Sequence, residues 1–132
     1  MNSPQVKPYG SWRSPITAQL IVEKAVGLGS VQTVGNDVYW LESRPSEKGR
    51  SVLVKQTADG AIADITPPPF NVRTRVHEYG GAAYLATEQA VYFSNYSDSR
   101  IYQQKLDQEP QALTSESACR YADFVGIKVE ID

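Results

Sequence analysis

Asn71-Val72-Arg73-Thr74-Arg75-Val76-His77-Glu78-Tyr79-Gly80-Gly81-Ala82-Ala83-Tyr84 sits between two segments that read as copies of one β unit. It carries the only histidine, two arginines and a glutamate, and it runs into a Gly-Gly pair. In the N-terminal copy, residues 31–34 form a first strand and Gly35-Asn36-Asp37 a turn, since these residues tolerate the dihedrals a turn needs. Val38-Tyr39-Trp40-Leu41 is a second, strongly β-prone strand. A polar loop over residues 44–50 leads to Ser51-Val52-Leu53-Val54-Lys55-Gln56. Asp59-Gly60 is a two-residue hairpin signal. Residues 61–66 make a fourth strand, stopped by Pro67-Pro68-Pro69, which cannot donate to a ladder.

On the other side the series recurs: strands over residues 82–87, 91–95, 100–106 and 111–114, with turns at Glu88-Gln89, Ser97-Asp98-Ser99 and residues 107–110. Val38-Tyr39-Trp40 returns as Val91-Tyr92-Phe93, 53 positions on, and Ile65-Thr66 as Leu113-Thr114, 48 positions on. The longer 44–50 loop accounts for the difference. Four strands per 40–50 residues is the period of propeller blades. The expected fold class is all-β: four-stranded antiparallel blades of a partial, WD-repeat-like β-propeller with a short N-terminal helix. The pattern also admits two meanders of an eight- to ten-stranded barrel or sandwich. Residues 71–84 then form the crossing from one blade to the next. The expected divisions are an arm and helix over 1–30, blades over 31–69 and 70–118, and the start of a third blade over 119–132.

In the arm, Pro4, Pro8 and Gly10 interrupt any helix, and Tyr9 and Trp12 supply apolar anchors. Ser14-Pro15 is a helix-start signal, a cap hydroxyl followed by proline at the first helical position. Gly27 and Gly29 are expected to end that helix.

The bulk properties narrow the function. The 132 residues carry 13 basic and 15 acidic side chains, a net charge of −2. No basic field attracts nucleic acid and no Lys/Arg run holds a membrane surface, so neither partner is expected. Cys119 is the only cysteine, which allows no intrachain disulfide. The N-terminus lacks the apolar run of a signal peptide and no stretch approaches a membrane span, so the expected location is cytoplasmic. Asn95-Tyr96-Ser97 matches a glycosylation acceptor by chance.

Tyr9-Gly10-Ser11-Trp12-Arg13-Ser14-Pro15-Ile16-Thr17 resembles the N-terminal signature of a bacterial branch of the prolyl oligopeptidase family of serine peptidases, labelled dipeptidyl-aminopeptidase or acylaminoacyl-peptidase. Val38-Tyr39-Trp40-Leu41-Glu42-Ser43-Arg44-Pro45 with Gly49-Arg50 is similar to it. So are the 71–81 stretch and Arg120-Tyr121-Ala122-Asp123-Phe124, which resembles the opening of the next blade. These blocks lie in family order. The resemblance implies a propeller, usually seven-bladed, capping a C-terminal α/β-hydrolase domain whose Ser-Asp-His triad cleaves short peptides or removes N-terminal residues. The chain departs from the plan: it holds two blades and the edge of a third, it lacks the hydrolase part, and Ala82 stands where the family often has a third glycine. The tail from Gly126 does not look like the usual continuation.

No catalytic residue is expected. A nucleophile elbow needs Gly-x-Ser-x-Gly, and Gly49-Arg50-Ser51-Val52-Leu53 lacks the second glycine, so Ser51 reads as the start of a strand. Gly27-Leu28-Gly29 is not a dinucleotide fingerprint. One His and one Cys do not make a zinc site, so neither metal nor cofactor is expected. His77 suits proton transfer near neutral pH, but a triad needs a positioned nucleophile and an orienting acid, and adjacent Glu78 points the other way on an extended chain. His77 is read as a structural hydrogen bond at the crossing, or as a substrate- or interface-facing group in the intact fold. Arg73, Arg75 and Glu78 share that second reading: alternating arginines face one side and pair with a peptide carboxylate or with Glu78 or another acid. Gly80 and Gly81 are structural turn residues. Tyr39, Trp40, Tyr92 and Phe93 read as inter-blade core, and Cys119 as an inert buried or edge thiol. The isolated chain is expected to be a non-enzyme whose partners are a peptide substrate in a full-length peptidase, itself, or a hydrolase part. The alternative is a stand-alone β-sheet interaction module.

Overall fold

A computed structural model describes residues 5–23, 25–77 and 80–127. A short helix, α1 (Ala18–Glu23), precedes two four-stranded antiparallel sheets. The first contains β1 (Gly27–Val34), β2 (Asp37–Arg44), β3 (Arg50–Gln56) and β4 (Ile62–Asp64). The second contains β5 (Tyr84–Ala86), β6 (Ala90–Ser94), β7 (Ile101–Lys105) and β8 (Gln111–Ala112). Both run in sequence order, the meander of a propeller blade, and the all-β expectation holds.

The ladders reproduce both repeat offsets. Val38 pairs with Gln56 and Val91 with Gln104; Val54 pairs with Asp64 and Tyr102 with Ala112. The second strands are therefore 53 positions apart, and the third and fourth 48. The closing threonines repeat as well. The Leu53 N–H donates to Thr66 Oγ1 and the Ile101 N–H to Thr114 Oγ1, both at 3.0 Å. One hydroxyl in each blade thus extends the ladder where β4 or β8 has already ended.

Because the register is preserved, each blade has a forward and a backward face. Tyr39, Leu41 and Leu53 point forward from the first blade; Phe93 and Tyr102 point backward from the second. They meet with Val72, Ala83, Tyr84, Ala86 and Val91 in one hydrophobic core, flanked by Val34, Ile65 and Phe70. Phe70, Phe93 and Tyr102 form an aromatic triad with centroids 5.0–5.8 Å apart. Each pair of this kind adds roughly 0.5–1.5 kcal/mol to the burial of the rings. Trp40 and Tyr92 belong to the opposite faces, so the joint takes only Tyr39 and Phe93 of the four expected aromatics.

The innermost strands are joined by polar groups. β1 is bulged between Gly29 and Gln32, with Ser30 at φ 53°. The Tyr84 hydroxyl donates to the Ser30 carbonyl. Gln32 Nε2 donates to the Tyr84 carbonyl at 2.9 Å, and Gln32 Oε1 accepts from the Ala86 N–H at 3.0 Å. The amide thus acts as a strand residue would. Burial pushes the Tyr84 phenol well above its usual pKa. At the outer rim, Gln104 Nε2 donates to the Ile65 carbonyl at 2.7 Å.

Several expectations are corrected. Gly27 and Gly29 lie in β1 and do not end the helix. The helix cap is Thr17, whose Oγ1 accepts from the Leu20 N–H at 3.1 Å; Ser14 makes only a turn with Ile16. The Asp59-Gly60 hairpin has a three-residue loop, closed by the Thr57 N–H on the Ala61 carbonyl, with Gly60 at φ 89°. Tyr9 and Trp12 are exposed rather than anchored in the core, and Trp12 has the Lys7 ammonium over its ring. Of the two placements expected for Cys119, buried or edge, its exposure removes the buried one.

Candidate functional site

The crossing is built as a splice between the blades. Asn71 Oδ1 accepts the Ser51 N–H at 3.0 Å and its carbonyl accepts the Tyr96 N–H at 2.9 Å. Its own N–H donates to Asn95 Oδ1 at 3.0 Å. The Val72 N–H then reaches the Ser51 carbonyl, and the Arg73 N–H the Ser94 carbonyl. Three consecutive residues therefore bond alternately to the first and second blade, which satisfies backbone groups that no regular ladder serves.

Beyond Arg73 the chain is held by the segment that resembles the next blade. Thr74 Oγ1 donates to the Tyr121 carbonyl at 2.6 Å. Ala82 and Asp123 exchange two bonds: Ala82 N–H to Asp123 Oδ1 at 2.8 Å, and Asp123 N–H to the Ala82 carbonyl at 2.9 Å. Gly81 has φ 105°, and a Cβ there would lie 3.1 Å from His77 Cδ2 and 3.3 Å from the Ala122 Cβ. Gly81 therefore meets both reasons for a glycine, dihedral and close approach. Gly80 meets neither.

A cleft of about 350 Å³ opens where the crossing leaves the blades, lined by Ser43 and Ser51 of the first blade and by Arg73, Thr74, His77 and Gly81 of the crossing. Arg73 and His77 come together here. The His77 side chain is more than half exposed, and its Nε2 lies 3.8 Å from Asp123 Oδ2, an ion pair when the imidazole is protonated and beyond hydrogen-bond reach otherwise. Arg75 is not among the residues that line the cleft. The guanidinium carbons of Arg73 and Arg75 lie 4.9 and 4.1 Å from the centroid of one ring, that of Tyr96. Among the described residues neither arginine pairs with a carboxylate, and both make cation–π contacts with that ring. Glu78 lies outside the described residues.

Ser51 sits in β3, paired with Ser43, in none of the strained geometry of a nucleophile elbow. Among the described residues no group of three His, Cys, Asp or Glu side chains is placed to hold a metal. Asn95 is buried and its amide nitrogen donates to Ser97 Oγ and Asp98 Oδ1, which leaves no room for a glycan. Burial acts to raise the Asp98 pKa, but bonds from Tyr102, the Arg100 N–H and Asn95 outweigh it and leave the carboxyl below its usual range. Among the described residues no helix is long and apolar enough to cross a membrane.

Tyr96 and Gln32 were missed by sequence reasoning. A tyrosine two residues past a strand end carries no signal of the arginines it will meet. Gln32 occupies an ordinary alternating position.

Two solved structures are similar over nearly the whole chain. A puromycin hydrolase shares 36% identity over 94% of this chain, with a TM-score of 0.84. A puromycin-hydrolyzing peptidase of Mycobacterium tuberculosis shares 37% identity over 92%, with a TM-score of 0.83. The chain spans about a fifth of their length, 21% and 20%. No family model matches the sequence, and no curated protein does.

Proposed function

Since this chain matches the N-terminal region of peptidases of the prolyl oligopeptidase family, we propose that it serves as a non-catalytic propeller segment that gates substrate. In a complete peptidase the hydrolysis of short peptides, or of puromycin as in the two similar proteins, belongs to an α/β-hydrolase domain. This segment contributes wall and contacts. The observation that carries the reading is the 36% identity maintained over 94% of the chain. The cleft with Arg73 and His77 is the part of the segment chemically equipped to meet a peptide.

The test has two arms. In a chimera, this chain replaces the matching fifth of a puromycin-hydrolyzing peptidase; puromycin hydrolysis is expected to survive, with the preference for short substrates intact. The isolated chain is expected to release nothing from aminoacyl or acyl-peptide reporters. Saturable cleavage by the pure chain, or a chimera that folds but admits long peptides, would overturn the proposal.

A second reading is an interaction module that self-associates or docks on another chain. The exposed Val6, Tyr9, Ile16, Leu28 and Val31 favour it, because apolar side chains gathered on an arm and an edge strand invite a partner. Sedimentation equilibrium decides: a compact monomer over the accessible concentration range removes self-association.

A further inference from the structure

We infer that Arg73, Arg75 and Tyr96 form a receptor for a carboxylate carried by a peptide. The crossing brings two guanidinium groups to one side, where both settle against the Tyr96 ring. Two like charges at one ring repel, and the arrangement persists because the ring face attracts each cation. Nearby, Arg120 Nη1 donates to the Arg75 backbone carbonyl at 3.2 Å. Among the described residues no carboxylate pairs with any of the three arginines; Asp123 faces His77.

The Arg73 and Arg75 side chains hold their planar forks beside a ring, with their N–H donors unused by described residues. That is the preorganised state a carboxylate needs for bidentate binding, and an anion there would also relieve the repulsion. The site adjoins the cleft through Arg73, which lines it. The choice of a peptide as the carrier rests on the gating function proposed above.

The full chain is titrated with three probes: trialanine with a free C-terminal carboxylate, trialanine amide, and acetylated, amidated Ala-Glu-Ala. Binding is followed by NMR on the Arg73 and Arg75 Nε–H and Tyr96 ring signals. Saturable shifts are expected with a carboxylate-bearing probe, and none with the amide. Trialanine as the stronger ligand identifies the peptide terminus as the source; Ala-Glu-Ala identifies an acidic side chain. Joint Arg73→Gln and Arg75→Gln substitution is expected to weaken binding at least about tenfold, since charge-assisted bonds are lost. Lysine at both positions is expected to restore it only in part, and Arg13→Gln to change nothing. Equal shifts from acid and amide, or unchanged affinity in the doubly substituted chain, would overturn the proposal. A chimera that gates normally while the chain shows no shifts sinks the receptor alone; shifts with a chimera that fails to gate sink the gating function alone.

Discussion

The two blades share one strand register and differ in what their free faces are made of. The backward face of the first blade carries Trp40 and Arg44. Arg44 is held by Glu42 at 2.7 Å, Glu47 at 3.3 Å and Asp64 at 2.6 Å, and Glu47 also binds Arg50 at 2.6 Å. Val52 and Val54 share that face and are fully buried. The forward face of the second blade is an apolar groove of about 680 Å³ lined by Leu85, Tyr92, Ile101 and Phe124, among others. By register Trp40 is the counterpart of Phe93, and Tyr92 of Tyr39. Equivalent residues therefore differ in burial because only one forward face meets a backward face within the chain. The extra residues of the 44–50 loop bring Glu47 beside Arg44 and Arg50. The corresponding turn in the second blade uses Asn95 and Asp98.

The largest expected effect breaks the joint. Phe93→Ala removes a fully buried ring from the aromatic triad and is expected to cost about 3–5 kcal/mol in urea unfolding. Tyr92→Ala, one residue away on the open face, is expected to cost less than about half as much, since a ring that is only partly buried loses less burial. Equal losses would mean that something covers the forward face.

A smaller effect tests the crossing. Gly81→Ala forces a Cβ onto His77 and Ala122 at positive φ, and is expected to cost about 1–3 kcal/mol in thermal melts. Gly80→Ala is expected to stay within about 0.5 kcal/mol. A neutral Gly81→Ala would show that Thr74 and Ala82 are not held against Tyr121 and Asp123.

The smallest effect separates the blades by pH. The Arg50 and Arg44 guanidinium groups hold the Glu47 carboxyl below its usual range, and Arg44 does the same for Asp64. Groups whose folded pKa is depressed contribute stability above their unfolded pKa and lose it as pH falls through the folded value. Acid titration below about pH 4.5 is therefore expected to loosen the first blade, and Arg44→Met to flatten that part of the profile while lowering neutral-pH stability by about 1 kcal/mol, because the pairs are partly exposed. Asp98 also sits below its usual range, so the second blade keeps an acid response that Arg44→Met leaves alone. Chemical shifts of Trp40 and Phe93 against pH report each blade; an unchanged Trp40 profile in the variant would remove the network as the cause.

The sequence by itself determined the number of strands, their order and the two repeat offsets, because alternation, turn residues and β-branched runs are local properties that recur. It also marked residues 71–84 as the crossing, since one charged, glycine-ended stretch interrupts two similar patterns. Only the tertiary structure decided which face of each strand meets which, and so separated Tyr39 and Phe93 from Trp40 and Tyr92. It also decided that Arg73 and Arg75 share Tyr96, that Gln32 takes the place of a strand residue, and that Tyr9 and Trp12 stand exposed. Those outcomes depend on contacts between residues about twenty to fifty positions apart, or on surfaces with no partner in the chain. Alternation says that a strand has two faces, and not which of them will find something to bury.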